Sequence, residues 1–383
     1  MLVKDIMSKN IISVTSSDNV QTLISLMKKH NVHEIPIIDN KKLIGIIEAK
    51  RLTEKTVGDP NKTKVKNLKT APPAILKAEQ DLDSAAKLLL KTGLRALPVM
   101  EGENIIGIVS IHDIVNEISS SKAFRQTKIK NVMSKCVTIS EDTDIGNVRV
   151  IMRDKNISRL PIVDTNGKIK GIVTTFDMFK AIKGKEKMGR YEMGSEMERM
   201  MQIPVTAIMN TKTLTATSDQ TLNDVANLIH QFDDSGAIIT TNGVVDGVIV
   251  LKDLLEFYVS GLKKEGIFYQ IIGLDKEDSF ETDTVNRMIN DTIKKISGTC
   301  DINYLFIHVK KHNTGYNSRI KYSIRIRLKT SKKLYTSQAV AWDLRASVND
   351  ALTQLERMIF KEKGISKDRS RKSAKIKKSM RGE

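Results

Sequence analysis

Only two cysteines occur in 383 residues, Cys136 and Cys300, in unrelated contexts. That excludes a disulfide framework and points to ordinary buried thiols in a reducing compartment, so a cytoplasmic location is expected. No apolar run approaches the roughly 20 residues of a membrane-spanning helix. The opening MLVKDIMSKN lacks an apolar signal core, so neither export nor a membrane partner is expected. Catalytic signatures are equally sparse. No G-x-x-x-x-G-K-[ST] loop occurs, which leaves P-loop hydrolysis unsupported. The six histidines (His30, His33, His112, His230, His308, His312) show no zinc-type spacing with cysteines or carboxylates. His30 and His33 could share a helical face, but no third ligand stands out. There is no nucleophile elbow and no pair of catalytic acids. The expectation is a binding protein that is not an enzyme, with no metal and no required cofactor.

What is present is positive charge, and it is unevenly placed. The chain carries a net +18. From Glu277 onward stand 24 of the 63 Lys/Arg but only 12 of the 45 Asp/Glu, so +12 sits in the last 107 residues. A localised basic excess suits a polyanionic partner, nucleic acid or an anionic surface.

The first two thirds repeat one unit four times. The copies begin VKDIMSKN at Val3, VKNLKTAP at Val65, IKNVMSKC at Ile129 and, more weakly, VTAIMNTK at Val205; their anchoring glycines are Gly45, Gly107, Gly171 and Gly247. The third interval is longer, which places a linker at 183–203 whose Met193, Met197 and Met200/Met201 form a packing stripe at helical spacing. Each unit reads as a short β segment (Val137-Thr138-Ile139), a capped helix (Asp142 or Thr143 as cap in the third copy), a hairpin and a closing helix such as 176–182. Hairpin turns are marked by Asp39-Asn40, Glu101-Gly102 and Asn166-Gly167. One such β-α-β-β-α unit cannot bury its own apolar face, and pairing two units solves that problem.

This pattern resembles the CBS-domain family over residues 3–260. The resemblance implies α/β CBS repeats paired into two Bateman modules, at 3–118 and 128–260. It implies an adenosine-type ligand (AMP, ADP or ATP) as a regulatory ligand in the cleft of a module. The diagnostic element is Gly, two apolar residues, Ser/Thr, two residues, Asp. The aspartate can accept from a ribose diol, and the hydroxyl and helix-start N–H groups suit a phosphate. Repeat 2 keeps Gly107, Ser110 and Asp113; repeat 3 keeps Gly171, Thr174 and Asp177. Arg95 before Pro98 and Arg159 before Pro161 stand where the family meets phosphate, and Thr138 could meet the base. Repeat 1 departs, with Glu48 and Arg51 in place of hydroxyl and aspartate. Repeat 4 keeps Asp253 but has Val250 for the hydroxyl and Ala237 at the proline's place. Asp113 and Asp177 can equally be plain helix N-caps. The residues do not separate AMP, ADP, ATP and S-adenosylmethionine, although the charge favours a phosphorylated ligand.

From Gly266 the pattern changes to β-α-β-β-β-α, a C-terminal α+β domain with an antiparallel-rich sheet. Strands are expected at 267–274, 303–311, 319–329 and 333–337, and helices at 282–297 and 342–362. The helices carry the stripes Val285, Met288/Ile289, Ile293, Ile296 and Leu344, Val348, Leu352, Leu355, Ile359. In RIKYSIRIRLK, Ile320, Tyr322, Ile324, Ile326 and Leu328 share one face, and Arg319, Lys321, Arg325, Arg327 and Lys329 the other. Lys332 and Lys333 follow with no intervening acid, and Lys310, Lys311 and His312 are expected to extend the row. Like charges on neighbouring sites repel, so an unbroken basic row expects an anionic surface. A tail at 364–383 adds Arg369, Arg371 and Lys372, expected to order only on phosphates.

This second part resembles the ribosome hibernation-promoting factor family over 267–363, through its strand order, its basic strand and the helix WDLRASVNDALTQLERMIFKEK with Asp343, Asn349 and Asp350. The resemblance implies rRNA of the small ribosomal subunit as partner and exclusion of mRNA and tRNA. The combination resembles archaeal CBS proteins with a hibernation-factor-like domain, some of which pair small subunits, and a homodimer is the default for such modules. Two other readings stay open: a ligand-gated transcriptional or other RNA-binding regulator, and a CBS regulatory subunit of an enzyme or transporter.

Overall fold

Repeat 1 runs through α1 (Val3–Ile6), α2 (Val20–Lys29), β1 (Glu34–Asp39) and β2 (Lys42–Glu48). Repeat 2 follows as β3 (Leu76–Lys77), α3 (Leu82–Thr92), β4 (Ala96–Glu101), β5 (Asn104–Ser110) and α4 (Ile111–Ile118). A short α5 (Lys122–Gln126) leads to repeat 3, with β6 (Ile139–Ser140), α6 (Ile145–Asp154), β7 (Arg159–Val163) and β8 (Ile169–Thr174). Repeat 4 is β9 (Thr215–Ala216), α7 (Leu222–Gln231), β10 (Gly236–Thr241), β11 (Val244–Val250) and α8 (Leu251–Gly261). This computed structural model describes residues 1–49, 52, 60–68, 70, 72, 74–155, 157–180, 201–262, 267–273, 279–313, 320–330 and 333–362. Arg51 and most of the 183–203 linker, with Met193, Met197 and Met200, lie outside them. Met201 is described and packs on the repeat 3 core.

Local chemistry sets the boundaries. Asn19, Asp81, Asp144 and Thr221 each accept the N–H three residues on and so cap the helix that leads into the hairpin of their repeat. In repeat 3 the cap is therefore Asp144, not Asp142 or Thr143; Asp142 instead accepts from the Ser140 hydroxyl. The expected closing helix of repeat 3 is, over Asp177–Lys180, a 3-10 turn.

All four hairpins carry a β-bulge at the same place, just after Ile37, Val99, Ile162 and Ile239, whose cross-strand partners are the four anchoring glycines. Those glycines also explain the pairing of repeats. A Cβ on Gly107 would meet Met7 Sδ at 2.8 Å and Ser8 O at 3.0 Å. A Cβ on Gly247 would meet Ser134 O at 2.6 Å. The Met-Ser entry segment of one repeat thus lies across the second hairpin strand of the other, and only glycine leaves room for it. Ladder bonds confirm the exchange: Ser8 with Ile108 and Thr70 with Ile46 join repeats 1 and 2, and Ser134 with Val248 and Asn210 with Ile172 join repeats 3 and 4.

The same register corrects one alignment. Pro36, Pro98 and Pro161 oppose Ile46, Ile108 and Ile172, and in repeat 4 the residue opposing Val248 is Ile238. Ile238, not Ala237, stands at the proline's place.

The four repeats form one compact unit, Met1–Gly266, and the rest a second, Ile267–Glu383. The second unit is β12 (Phe268–Ile272), α9 (Ser279–Ser297), β13 (Ile302–Asn313), β14 (Ile320–Thr330), β15 (Leu334–Ala341) and α10 (Leu344–Glu362). Its sheet runs β12-β13-β14-β15, with β12 parallel to β13 and the other pairs antiparallel. The strand and helix order is the expected one, though β15 extends four residues past the expected end. Both helical stripes are buried against Leu305, Ile307, Val309, Ile324, Ile326 and Leu328 of the sheet. Ile320, at the mouth of β14, is exposed instead.

Candidate ligand and nucleic-acid sites

In unit 1 the polar residues gather where the repeats meet. The chain enters each hairpin at an equivalent register position: Glu34 opposite Glu48, Ala96 opposite Ser110, Arg159 opposite Thr174, Gly236 opposite Val250. The residues just before are His33, Arg95, Ser158 and Ser235. Arg95 lies 2.5 Å from His33 Nε2, donates to Ser158 Oγ at 3.3 Å, and takes the Glu34 carboxylate on its backbone N–H. It therefore ties repeat 2 to repeats 1 and 3. Arg159 donates to Gly236 O at 2.9 Å, Asp234 Oδ1 at 2.9 Å and Ser235 Oγ at 2.5 Å, all in repeat 4. Phe176 lies 4.1 Å from the His33 ring, centroid to centroid, and packs on the repeat 1 core.

Burial, reinforced by the positive charges of Arg95 and Arg159, pushes His33 down to about 2. A neutral imidazole is what a guanidinium donating to Nε2 requires. Burial also lowers Arg95 to about 10, against the opposing pull of Glu34. Two arginines and two carboxylates, Glu34 and Asp234, thus balance around one neutral histidine.

Ser110 and Asp113 form a capping box. Asp113 Oδ2 accepts from the Ser110 N–H and hydroxyl, both at 2.7 Å, and Ser110 Oγ accepts from the Asp113 N–H. Thr174 donates to Asp177 Oδ2 in the same way, at 2.9 and 2.7 Å. In repeat 4 Asp253 accepts from the Val250 N–H at 3.0 Å and is buried, whereas Asp113 and Asp177 are half-exposed. Thr138 is exposed, one residue before β6.

Sequence reasoning named Arg95 and Arg159 as equivalents, but they are one register position apart, which turns them to different neighbours. It also passed over Glu34, Ser158, Phe176, Asp234 and Ser235, and treated His33 only as a metal candidate. Aligning the four hairpin entries would have exposed the cluster. Among the described residues no three His, Cys, Asp or Glu are grouped so as to hold a metal, and no helix is long and apolar enough to cross a membrane.

In unit 2 the back of the sheet carries the basic strand. Register pairs Lys329 with Tyr304, Arg327 with Phe306, Arg325 with His308 and Lys321 with His312. On the other side Arg327 meets Thr336 and Arg325 meets Gln338. The row is not evenly open, as the sequence had suggested. Arg327 is only 1% exposed, between an aromatic ring and a β-branched neighbour. Lys329 is half-buried, and burial lowers its pKa. Lys321 and Arg325 are half-exposed and Lys333 is exposed. Lys310 pairs with Ser323 and lies on this face, but Lys311 pairs with Tyr322 and so belongs to the helix-facing side. Arg319, Lys332, Arg369, Arg371 and Lys372 lie outside the described residues. The sequence reading missed the buried aromatic column beside the cations, where Tyr304 and Phe306 have centroids 5.3 Å apart and Phe306 stacks with His308 at 6.5 Å; these rings pack under the row and are not open to a ligand.

Swapped entry segments, bulged hairpins and helix-capping aspartates define a tandem array of paired β-α-β-β-α modules, followed in the chain by a small α+β unit. The chain belongs to the CBS-domain family, whose model matches at 3–58, 65–120, 129–184 and 205–260. Residues 268–378 match the C-terminal domain of the hibernation factor Hib. An uncharacterised protein of Methanocaldococcus jannaschii is 28% identical over 340 residues, 88% of this chain and 80% of that one. An uncharacterised 33.4 kDa protein in a ribosomal RNA operon of Thermofilum pendens is 23% identical over 262 residues, 63% of this chain and 86% of that one. A solved M. jannaschii structure, described as a candidate archaeal homologue of g-AMPK, superposes with TM-score 0.58 at 18% identity, covering 67% of this chain and all of that one. That likeness bears on the fold of the CBS unit.

Proposed function

We propose that this chain is an adenine-nucleotide-sensing factor that binds small-subunit rRNA through its C-terminal sheet and represses translation in the cytoplasm, as a ribosome hibernation factor. It acts by binding rather than catalysis. The observation that carries the reading is the match to the Hib C-terminal domain, with Lys310, Lys321, Arg325 and Lys329 at the partly exposed positions of a sheet face whose Tyr304, Phe306, His308, His312, Ser323 and Arg327 are buried. The relative in a ribosomal RNA operon supports it. Phosphate contact dominates such binding, so association is salt-sensitive. A homodimer would present two such faces and bridge two subunits.

The regulatory side rests on Ser110–Asp113 and Thr174–Asp177. In each pair the bonds to the hydroxyl and strand-end N–H use Oδ2. A carboxylate oxygen accepts more than one bond, so capping is compatible with a ribose diol. A phosphate reaching Arg95 competes with His33 and Ser158, the contacts that tie repeat 2 to repeats 1 and 3. Ligand binding there has differential contacts in two arrangements, which coupling to the RNA-binding unit requires.

The test is co-sedimentation of the protein with purified small ribosomal subunits, with and without ATP, ADP or AMP. Association, altered by one nucleotide, is expected. Charge reversal should be made at Lys321 and Arg325, since Arg327 is buried and its reversal would disturb the fold. Lys321→Glu with Arg325→Glu should abolish association and leave nucleotide affinity unchanged. Undiminished association at physiological salt would remove the sheet face from the proposal.

A further inference from the structure

The chain has a single tryptophan, Trp342, and it is 57% exposed. It follows β15 and precedes Asp343, which caps α10 by accepting the Ala346 N–H at 2.7 Å. The preceding residue, Ala341, pairs with Tyr322, so Trp342 comes level with Lys321 on the basic face. The Lys321 ammonium lies 5.7 Å from the indole centroid, within cation–π range.

A packing role for the ring is not evident. A residue in this position before a helix cap can pack on an apolar residue in the next turn. Here the fourth helical residue is Ser347, fully buried, with its hydroxyl donating to Leu344 O at 2.8 Å. Trp342 is also absent from the hydrophobic core of unit 2. Single exposed hydrophobics are common, but this one is a broad π surface held beside a cation on the face that carries the basic strand. That pairing of a flat ring and a positive charge is how single-stranded nucleic acid is held without sequence readout.

We propose that Trp342 is a stacking platform for an unpaired RNA base, with Lys321 meeting the adjoining phosphate. The inference rests on the RNA-binding reading and adds a contact to it: the sheet takes a nucleobase at this corner as well as phosphates.

The sole tryptophan makes the test specific. The full chain is titrated at low salt with a ten-nucleotide oligoadenylate and with an abasic phosphodiester of equal length, following indole emission and, by filter binding, affinity. The oligoadenylate should quench the indole and the abasic strand should not. Trp342→Ala should weaken oligoadenylate binding roughly 5- to 150-fold, the range that loss of one stacked base gives. It should leave abasic binding unchanged, and Trp342→Phe should retain most of the affinity. Oligoadenylate binding with no quenching and no loss in Trp342→Ala overturns the platform and leaves the RNA reading standing. Absence of binding to oligoadenylate overturns it too, and co-sedimentation with small subunits then decides separately whether the RNA reading survives.

Discussion

Repeats 2 and 3 carry the same ligand motif, yet their arginines are set differently. Arg159 starts β7 and is anchored by three bonds to the entry of repeat 4, one of them to a backbone carbonyl. Arg95 stands one position earlier and is held by an imidazole and one serine hydroxyl. The difference separates a structural tie from an exchangeable contact. A guanidinium whose partners are a carboxylate and a carbonyl has no reason to release them to a phosphate. One held by two neutral groups gains charge complementarity by doing so. The largest effect expected is therefore on Arg159. Arg159→Ala removes three bonds, although Asp234 is about a third exposed and keeps the Ser235 N–H, and should cost about 2 kcal/mol in urea unfolding of the full chain. Arg95→Ala loses two neutral-partner bonds and should cost about 1 kcal/mol, but should weaken nucleotide binding far more than its stability change suggests. Equal stability losses in the two variants would erase the distinction.

His33 sharpens the comparison through pH. The unfolded chain binds a proton on His33 as pH falls through 6.5, while the folded chain, with His33 at about 2, does not. The unfolded state then holds more protons, so the stability from this site is complete above pH 6.5 and drains below it. Between pH 6.5 and 5 the loss should be about 1.5 kcal/mol. The measurement is the difference in unfolding free energy between wild type and His33→Gln across that range, which cancels the other titrating groups. A constant difference would place His33 in a wetter setting than the Arg95 contact implies.

Much of this architecture was legible in the sequence because its signals are redundant. Four glycines mark the repeats, and Gly107, Gly171 and Gly247 each face the entry segment of the paired repeat. The stripes Val285–Ile296 and Leu344–Ile359 put a whole face of each helix into the core. What escaped was whatever depends on a single register step. Arg95 and Arg159 look alike from their prolines, but a one-residue offset turns a strand side chain to other neighbours. Lys311 fails as a member of the basic row for the same reason, since Tyr322 opposite it faces the helices. The burial of Arg327 was not readable from β14 at all. Alternation assigns a face, but that Phe306 and Thr336 flank Arg327 depends on the register of the two neighbouring strands.

The smallest effect tests what the hydroxyls in the ligand motif are for. Repeat 4 shows that the helix-start aspartate keeps its bond to the strand-end N–H with Val250 in the hydroxyl's place, at 3.0 Å against 2.9 Å for Thr174. The fold therefore does not need that oxygen, and Thr174→Val makes repeat 3 resemble repeat 4 at constant side-chain shape. Its cost in stability should stay below about 1 kcal/mol, since Asp177 keeps the backbone donor. Nucleotide affinity should nevertheless fall about tenfold, the loss expected for one hydrogen bond to a charged phosphate. The readout is calorimetric titration of ADP into wild type, Ser110→Val and Thr174→Val. A drop in only one variant would assign the working site to that repeat. Unchanged affinity in both would return the hydroxyls, and with them Asp113 and Asp177, to helix capping alone.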